Sequence, residues 1–454
     1  MSMNDTQQNE QKLFYRSVVS LVLPMALQNL INVAVVSADV IMLGKVGETA
    51  LSASSLAGQV QFVMTLIFFG LTSGAAVLTA QYWGKHDTRT IEKTLGIAMR
   101  FSIIVGVLFT TVVLLVPRQV MLIFSTEEPV IQAGIEYLRI VAISYIFMSI
   151  TMVYLNIMRS VERVVISTVV YLISLITNIL LNAVFIFGLL GFPKMGIAGA
   201  ALATTIARGI ELLITLIYAK KFNHTIRFNL KDLFVKDNLL FRDFLKYSIP
   251  VTLNEMMWGL GSSMNSVIIG HMGSSVVAAN SVAQVTRQLA TVIAFGIANA
   301  AAIMLGKTIG SGNIQKADRD SKRFIKITLI TGAIGSMIIL IVRPIAMMTL
   351  NLTHTAQGYL SMMMFVMSYF SLAQAYNTTM VVGIFRSGGD TKFGLMMDVV
   401  TMWGCSILIG ALCAFVFELS VPWVYVVLMS DEMIKIPITT WRYRKKVWLK
   451  DVTR

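Results

Sequence analysis

The sequence predicts an all-α polytopic membrane protein: twelve transmembrane helices form two six-helix bundles, a parallel 6+6 repeat, around a central cavity. Of its 454 residues, 56% are hydrophobic and only 13% are charged, and a soluble domain cannot bury that much apolar surface. Twelve apolar runs are each long enough to cross a bilayer, which takes about 20 residues in a helix. The first half of the chain also matches the second at a fixed shift, which carries Pro24 onto Pro250.

The apolar runs define the predicted helices in chain order. They lie at about 17–44, 52–82, 95–116, 134–158, 164–190, 196–219, 244–270, 276–309, 323–349, 356–385, 393–417 and 420–441. The corresponding domain plan is a cytoplasmic N-terminal lead (1–16), an N-terminal bundle (17–219), a cytoplasmic linker (220–243), a C-terminal bundle (244–441) and a basic cytoplasmic tail (442–454).

The internal repeat extends beyond the first helix of each half. The same shift carries Leu27, Ser37, Gly44, Gly47, Ala53, Gly70 and Gly84 onto Leu253, Ser263, Gly270, Gly273, Ala279, Gly296 and Gly310. MRSVER at 158–163 also matches FRSGGD at 385–390. Because each half has six spans, the copies share an orientation, and a transport cavity is expected between them near the middle of the membrane.

Loop charge predicts the orientation in the membrane. Most lysines and arginines outside the spans lie in the even-numbered loops, the linker and the termini, whereas the odd-numbered loops carry Lys45, Arg118, Lys194 and Arg343. Cytoplasmic loops carry the excess of basic residues, so both termini are predicted to be cytoplasmic. The net charge of +14 is therefore explained by topology and lipid headgroups rather than by nucleic acid.

Two acids within the spans are the first candidates for a functional site. Asp39 lies in the first span and Glu255 in the seventh, among apolar neighbours. A carboxylate at membrane depth is costly, and such residues usually mark ion or substrate pathways. A cation bound to either acid would bias a two-state bundle, which is the physical basis of antiport.

Several segments, taken in order, give the chain a family resemblance. SADVIMLGKVG at 37–47 ends the first span, IMRSVER at 157–163 and IFRSGGDTKFG at 384–394 end the fourth and tenth, and IPVTLNEMMWGLGSSMNSVIIGHMG occupies 249–273. The helix five to six segment at 177–208 and the tail RYRKKVWLKD at 442–451 fit the same pattern. The chain resembles the multidrug and toxic compound extrusion (MATE) antiporters over essentially its whole length.

The resemblance implies export of organic, often cationic and amphipathic compounds against an inward flow of sodium ions or protons. It places Asp39 with Asn178 in a cation site of the N-terminal half, where Asn182 replaces a partner carboxylate of the family. Asp39, Asn178 and Asn182 are a possible sodium site. Glu255 fits a second acidic site, but Ala375 stands where some members have an aspartate. Sodium and proton coupling both remain open.

Other side chains are candidates for the substrate cavity. They are Met256, Met257, Trp258, Gln284, Arg287 and Asn377. Methionine is adaptable and suits varied ligands. Arg287 lies deep in the eighth span, where we expect it to pair with Glu255 or Asp398 or to pack at a bend. Asp431, Glu432 and Lys435 have helical spacing and predict a structural ion pair.

The predicted function is a cation-coupled exporter of small organic compounds in a bacterial inner membrane. We expect no cofactor besides the coupling ion and no ATP, since SGG at 387–389 lacks the strand of a phosphate-binding loop. The alternative is a flippase for lipids or lipid-linked saccharides, whose cavity would be cationic. An enzyme is disfavoured because His86, His224, His271 and His354 are scattered, and no filter-like loop indicates a channel.

Overall fold

A computed structural model describes residues 3–349 and 353–454. The first two residues of the predicted N-terminal lead lie outside it. Twelve long helical segments account for most of this range and confirm the all-α fold class. We number them α1 Met3–Gly44, α2 Glu48–Gly84, α3 Thr88–Leu115, α4 Glu128–Ser160, α5 Val164–Phe187, α6 Ile197–Ile217, α7 Asn238–Gly270, α8 Ser274–Gly310, α9 Ile314–Thr349, α10 His354–Thr378 with its π-helical continuation Thr379–Phe385, α11 Thr391–Phe415, and α12, formed by Val421–Leu428 and Asp431–Arg444.

Shorter elements join these helices. They are the α-helix Pro117–Leu122, the 3₁₀ turns Leu189–Gly191 and Leu230–Phe234, and the π-helical turn Tyr218–Phe222. Each predicted span falls on one of the twelve segments, and the largest difference is at the start of α1. The described lead is helical and continuous with α1, because Phe14, Val18, Leu21 and Met25 form a buried stripe at helical spacing.

Nine of the described helices are long and apolar enough by themselves to cross a membrane. They correspond to α1–α6, α8, α9 and α11. The other three predicted spans, in α7, α10 and α12, carry the polar side chains described below. The chain is thus a multi-pass membrane protein. In α12 the two pieces of 8 and 14 residues are each also shorter than a single span.

The turns between helices repeat in the two halves of the chain. Gly47 (φ 148°) and Gly273 (φ 111°) occupy equivalent positions after α1 and α7. His86 (φ 58°) after α2 corresponds to Gly312 (φ 79°) after α8. A non-glycine residue with positive φ is uncommon. His86 therefore keeps a backbone conformation that glycine supplies in the other half, which supports the internal repeat.

The chain divides into two compact units. The N-terminal unit contains Leu27–Thr79 and Asp87–Ser248, and the C-terminal unit contains Ala80–His86, Ile249–Arg454 and the described residues up to Ala26. These limits differ from the predicted bundles because the first turns of α1 pack within the C-terminal unit. Phe14, for example, makes an edge-on ring contact with Phe324 of α9 at 5.1 Å between centroids.

Each unit has its own apolar core. In the N-terminal unit, α4 packs against α3 and α6, and the core includes Met64, Phe68, Leu138 and Tyr145. In the C-terminal unit, α10 packs against α8 and α9, with Met363, Met364 and Met367 fully buried. Many methionines therefore fill core gaps, a use that suits a flexible and polarisable side chain.

Candidate functional site

A polar cluster of the N-terminal unit surrounds Asp39 on α1. Nδ2 of Asn182 donates a hydrogen bond to Oδ1 of Asp39 at 2.5 Å and another to Oδ1 of Asn178 at 3.1 Å. Nδ2 of Asn178 in turn donates to the hydroxyl of Thr204 on α6 at 3.3 Å. Asn178 and Asn182 are four residues apart on α5, so they share one helix face. The structure thus brings together the three residues predicted for the first cation site.

One oxygen in this cluster lacks a partner. Asn182 is fully buried, and its Oδ1 accepts no hydrogen bond from the described residues. A buried carbonyl without a donor costs free energy, commonly about 1–3 kcal/mol. A carboxylate and amide oxygens are the hard ligands that a sodium ion prefers, and the same carboxylate can take a proton instead. Asp39, Asn182, Asn178 and Thr204 are therefore the residues able to hold a coupling ion here.

A buried ion pair lies near this cluster on α6. NH1 of Arg208 is 2.7 Å from Oε1 of Glu211, whose side chain is buried. This pair agrees with the helical spacing of the two residues in the sequence. Arg208 also interacts electrostatically with Asp39 at longer range. The direct ion-pair partner of Arg208 is Glu211.

Glu255 on α7 makes an ion pair with Arg386, which follows the π-helical continuation of α10. NH2 of Arg386, at the cytoplasmic end of α10 in the predicted topology, lies 2.7 Å from Oε1 of Glu255. Arg386 is only 4% exposed. The burial of the guanidinium explains the pairing, since a buried charge needs an opposite one.

Arg287 on α8 is held by amides. Its guanidinium donates to Oε1 of Gln284 at 2.9 Å and to Oε1 of Gln374 at 2.8 Å, and it stacks over the ring of Phe370. The predicted pairing of Arg287 with Glu255 or Asp398 was therefore wrong. The physical reason is that Arg386 and Lys435 already supply the positive charges beside those two acids.

Four charged residues meet in a group that we call the carboxylate cluster: Asp398 on α11 with Asp431, Glu432 and Lys435 on α12. Nζ of Lys435 lies 2.9 Å from Asp398, 3.2 Å from Asp431 and 3.1 Å from Glu432. The sequence predicted the contacts within α12 but not their connection to Asp398. Helical spacing shows only neighbours on one helix, whereas Asp398 arrives by tertiary packing.

Asn377 and Asn254 attach the carboxylate cluster to other helices. Nδ2 of Asn377 on α10 donates to the backbone oxygen of Glu432 at 2.6 Å and to its Oε2 at 2.8 Å. Nδ2 of Asn254 on α7 donates to Oδ2 of Asp398 at 2.8 Å. Asn377, predicted as a cavity residue, is thus engaged with the cluster. The sequence signal that could have revealed the cluster is the presence of charged residues inside the eleventh and twelfth predicted spans.

The remaining predicted cavity residues follow Glu255 on α7. Met256, Met257 and Trp258 are half-buried, and Trp258 packs against the core of the C-terminal unit. The backbone oxygen of Met257 accepts a hydrogen bond from Nε1 of Trp403 at 3.1 Å. Their contact with substrate stays a prediction.

π-helical segments lie beside these polar groups. Thr379–Phe385 separates Asn377 from Arg386, and Val399–Ile407 begins directly after Asp398. Such segments are rare and occur frequently at functional sites, because the extra residue in the turn re-aims the side chains. The irregular backbone of α10 and α11 therefore coincides with the charged part of the C-terminal unit.

Comparison with known proteins identifies the family. The MatE family model matches residues 24–184 and 250–433. The probable multidrug resistance protein YoeA of Bacillus subtilis is 22% identical over 99% of this chain and 97% of its own length. The probable multidrug resistance protein NorM of Rhizobium meliloti is 26% identical over 89% of this chain and 86% of its own.

A solved structure shares the fold. It is a MOP superfamily transporter from Pyrococcus furiosus, described as having a binding pocket of reverse polarity that suggests a different function, and it superposes with a TM-score of 0.85 at 20% identity over 96% of each chain. The resemblance seen in the sequence is thereby confirmed, and this chain belongs to the MatE family.

Proposed function

We propose that this protein is a cation-coupled antiporter that exports small organic, cationic or amphipathic compounds from a bacterial cell by alternating access. Family membership and relatives named as probable multidrug resistance proteins support an efflux transporter. The observation that carries cation coupling is the buried pairing of Asp39 with Asn182, which leaves one amide oxygen without a donor.

The coupling ion is a proton or a sodium ion held at Asp39, with Asn178 and Asn182 as neutral ligands. Binding of the ion removes the negative charge that a cationic substrate or an open cavity would otherwise face. The ion and the substrate then favour different conformations, and transport follows from that difference in affinity. Glu255 would act as a second switch, since release of Arg386 on protonation changes a buried contact between α7 and α10.

The proposal places the protein in the inner membrane with both termini in the cytoplasm, in agreement with the distribution of basic residues. It needs no ATP, catalytic residue or nucleic acid, because the ion gradient supplies the free energy. The substrates are small molecules, and the lipid bilayer is the solvent of the helices.

Efflux from proteoliposomes tests the proposal. A panel of cationic dyes is loaded, and sodium and pH gradients are imposed separately on wild type, Asp39→Asn and Glu255→Gln. We expect one gradient to drive wild-type efflux and both variants to lose most of it. Full activity in both variants would overturn the coupling role of the two acids.

The flippase alternative predicts a different result in the same proteoliposomes. A pyrophosphate-linked lipid would need cationic residues. Arg208 is engaged with Glu211, and Arg287 with two glutamines. If the protein moves a lipid-linked pyrophosphate without an ion gradient and exports no dye, it is a flippase and not an antiporter.

A further inference from the structure

The carboxylate cluster has more negative than positive charge. Asp398, Asp431 and Glu432 all lie within 3.2 Å of Nζ of Lys435, and the α12 members are each at most 6% exposed. With every group ionised, one ammonium contacts three carboxylates, and Arg287, which interacts with Asp431 and Glu432 only at longer range, supplies a second positive charge. The carboxylates still exceed these two cations by one. Buried charges without partners are strongly unfavourable, and a group in that position usually neutralises instead.

The nearby arginines on other helices make their direct contacts away from the cluster. Arg287 of α8 interacts with Asp431 and Glu432 only at longer range and donates to Gln284 and Gln374. Two further arginines are engaged in ion pairs, Arg386 with Glu255 and Arg442 with Asp390. From α10, the hydroxyl of Tyr376 is hydrogen-bonded to Thr440. Among the described contacts, Lys435 is thus the cation that touches the three carboxylates.

A second, independent observation points to a ligand at the same place. Asn254 is 5% exposed and directs its Nδ2 onto Asp398, yet its Oδ1 has no hydrogen-bond partner among the described residues. That Oδ1 is bonded to the same amide carbon as Nδ2, so it too lies close to Asp398. A buried acceptor in this position is satisfied when a neighbouring carboxyl group carries a proton and donates it.

We propose that the carboxylate cluster is a second proton-binding site of this protein, distinct from Asp39 and from the Glu255–Arg386 pair. The cluster as a whole holds at least one proton at neutral pH, shared among its carboxylates. Its use in transport rests on the antiport function proposed above, whereas its presence follows from charge and burial alone.

A proton fits the geometry better than a metal ion does. The three carboxylates converge on the ammonium of Lys435, which occupies the position that a bound metal would take. Within the part of the chain that the structure describes, no group of three or more acidic, histidine or cysteine side chains is arranged to hold a metal. A proton needs no coordination space and lowers the excess charge by one.

The cluster is connected to two further helices. Asn377 of α10 binds Glu432 of α12. Asn254, the neighbour of Glu255 in sequence, binds Asp398 of α11. Gain or loss of a proton on the cluster would therefore change contacts made by both α7 and α10, the two helices that form the Glu255–Arg386 pair.

Infrared difference spectroscopy of the purified protein tests the site without requiring transport. The C=O stretch of a protonated carboxylic acid is recorded at neutral pH in sodium-free choline buffer, for wild type and for Asp398→Asn, Asp431→Asn and Glu432→Gln. We expect a band, sensitive to deuterium exchange, that is lost or shifted in at least one variant. Lys435→Met should strengthen this band. Without the ammonium that compensates them, the carboxylates must take up more protons.

Glu211→Gln is the matched control, since Glu211 is equally buried but pairs one to one with Arg208. It should leave the acid band unchanged. A wild-type spectrum whose acid band is unaffected by all three cluster variants would overturn the proposal. A band that disappears on replacing choline by sodium would overturn it in favour of a sodium site.

A second measurement connects the site to transport. Protons released when a cationic dye binds are counted with a pH indicator. We expect release to persist in the single variant Asp39→Asn and to be lost in the double variant Asp39→Asn with Glu432→Gln. That result would assign a coupled proton to the cluster. Equal release by the single and double variants would refute that role. Failure of wild type to move any dye would contradict the proposed function and leave the infrared result standing.

Discussion

Asn182 donates a hydrogen bond to Asp39, and the two residues are 143 positions apart in the sequence. The contact connects α5 to α1 and fixes the orientation of the carboxyl group. It also leaves Oδ1 of Asn182 free to accept a proton donor or to coordinate a cation. The neutral amide of Asn182 therefore lies at hydrogen-bonding distance from Asp39. A carboxylate in place of this amide would strengthen the binding of positive charge.

Asn182→Asp is predicted to tighten binding of the coupling ion. Two carboxylates at hydrogen-bonding distance cannot both ionise without another positive charge, so the pair retains a proton or sodium ion. We expect the ion concentration for half-maximal efflux to fall by about tenfold or more, which corresponds to one pKa unit. Dye efflux as a function of sodium and of pH measures it.

Asn182→Ala is the companion variant because it removes the ligand without adding charge. It should raise the ion concentration needed for efflux. The prediction is contradicted when Asn182→Asp and Asn182→Ala shift the ion dependence in the same direction.

Substitutions at the Glu255–Arg386 pair test whether the pair stabilises the fold or also couples transport to an ion. Removing one partner of a buried pair leaves the other charge uncompensated, which costs about 3–5 kcal/mol, whereas replacing both is often nearly neutral. We therefore expect Glu255→Gln and Arg386→Met each to lower thermal stability in detergent, and the double variant to recover much of it. A double-mutant cycle on the unfolding temperature measures the interaction.

Transport distinguishes the two roles of Glu255. If Glu255 is a coupling acid, the double variant regains stability but not ion-driven efflux. Recovery of both stability and efflux would show that the pair is structural only.

Lys435→Met is predicted to be strongly destabilising. It leaves three buried carboxylates without their ammonium, and the expected loss is about 3–5 kcal/mol, reduced by whatever protons the carboxylates take up. The loss should be smaller at acidic pH, where protonation is easier. Thermal unfolding followed over a pH series measures the change.

Lys322→Met provides the exposed comparison. Lys322 pairs with Asp318 at 3.2 Å, but its side chain is 64% exposed, and exposed pairs contribute only about 0–1 kcal/mol. Similar unfolding temperatures for the two variants at neutral pH would show that Lys435 does not compensate buried charge.

The C-terminal tail is fixed to the ends of two helices. Trp448 is fully buried, and the side chain of Gln81 on α2 binds backbone atoms of Ser387, Lys450 and Val452. Burial of the Asp451 carboxyl opposes its ionisation, but hydrogen bonds from Thr453 and the nearby ammonium of Lys85 lower its pKa overall. Because the folded pKa is lowered, this contribution to docking is present at neutral pH and is lost as the pH falls through that pKa.

Gly388→Ala is predicted to detach this tail. A Cβ at Gly388 would lie 1.4 Å from the backbone oxygen of Trp448, a distance that no local adjustment of a side chain can relieve. We expect a lower unfolding temperature and faster tryptic cleavage at Lys450. Gly358→Ala, where no atom lies within 4 Å of the added carbon, should change neither. Equal cleavage of the two variants would argue against a docked tail.

The sequence by itself determined the architecture of this protein. Apolar runs report membrane spans because water is absent from the bilayer core and each span must satisfy its own backbone as a helix. The internal repeat was visible because Pro24 and Pro250, and the glycines that end α1 and α7, recur at one spacing. Asp39 and Glu255 were visible because a charge inside an apolar run is conspicuous in one dimension.

Only the tertiary structure decided which charges meet. Arg386 pairs with Glu255, and Lys435 gathers Asp398 with the two acids of its own helix. Helical periodicity relates residues three or four apart, but it carries no information on which helices are neighbours or how each is rotated about its axis. Partners on different helices are chosen by packing, so the expected pairing of Arg287 with Glu255 or Asp398 was wrong, while the ion pair within α12 was predicted correctly.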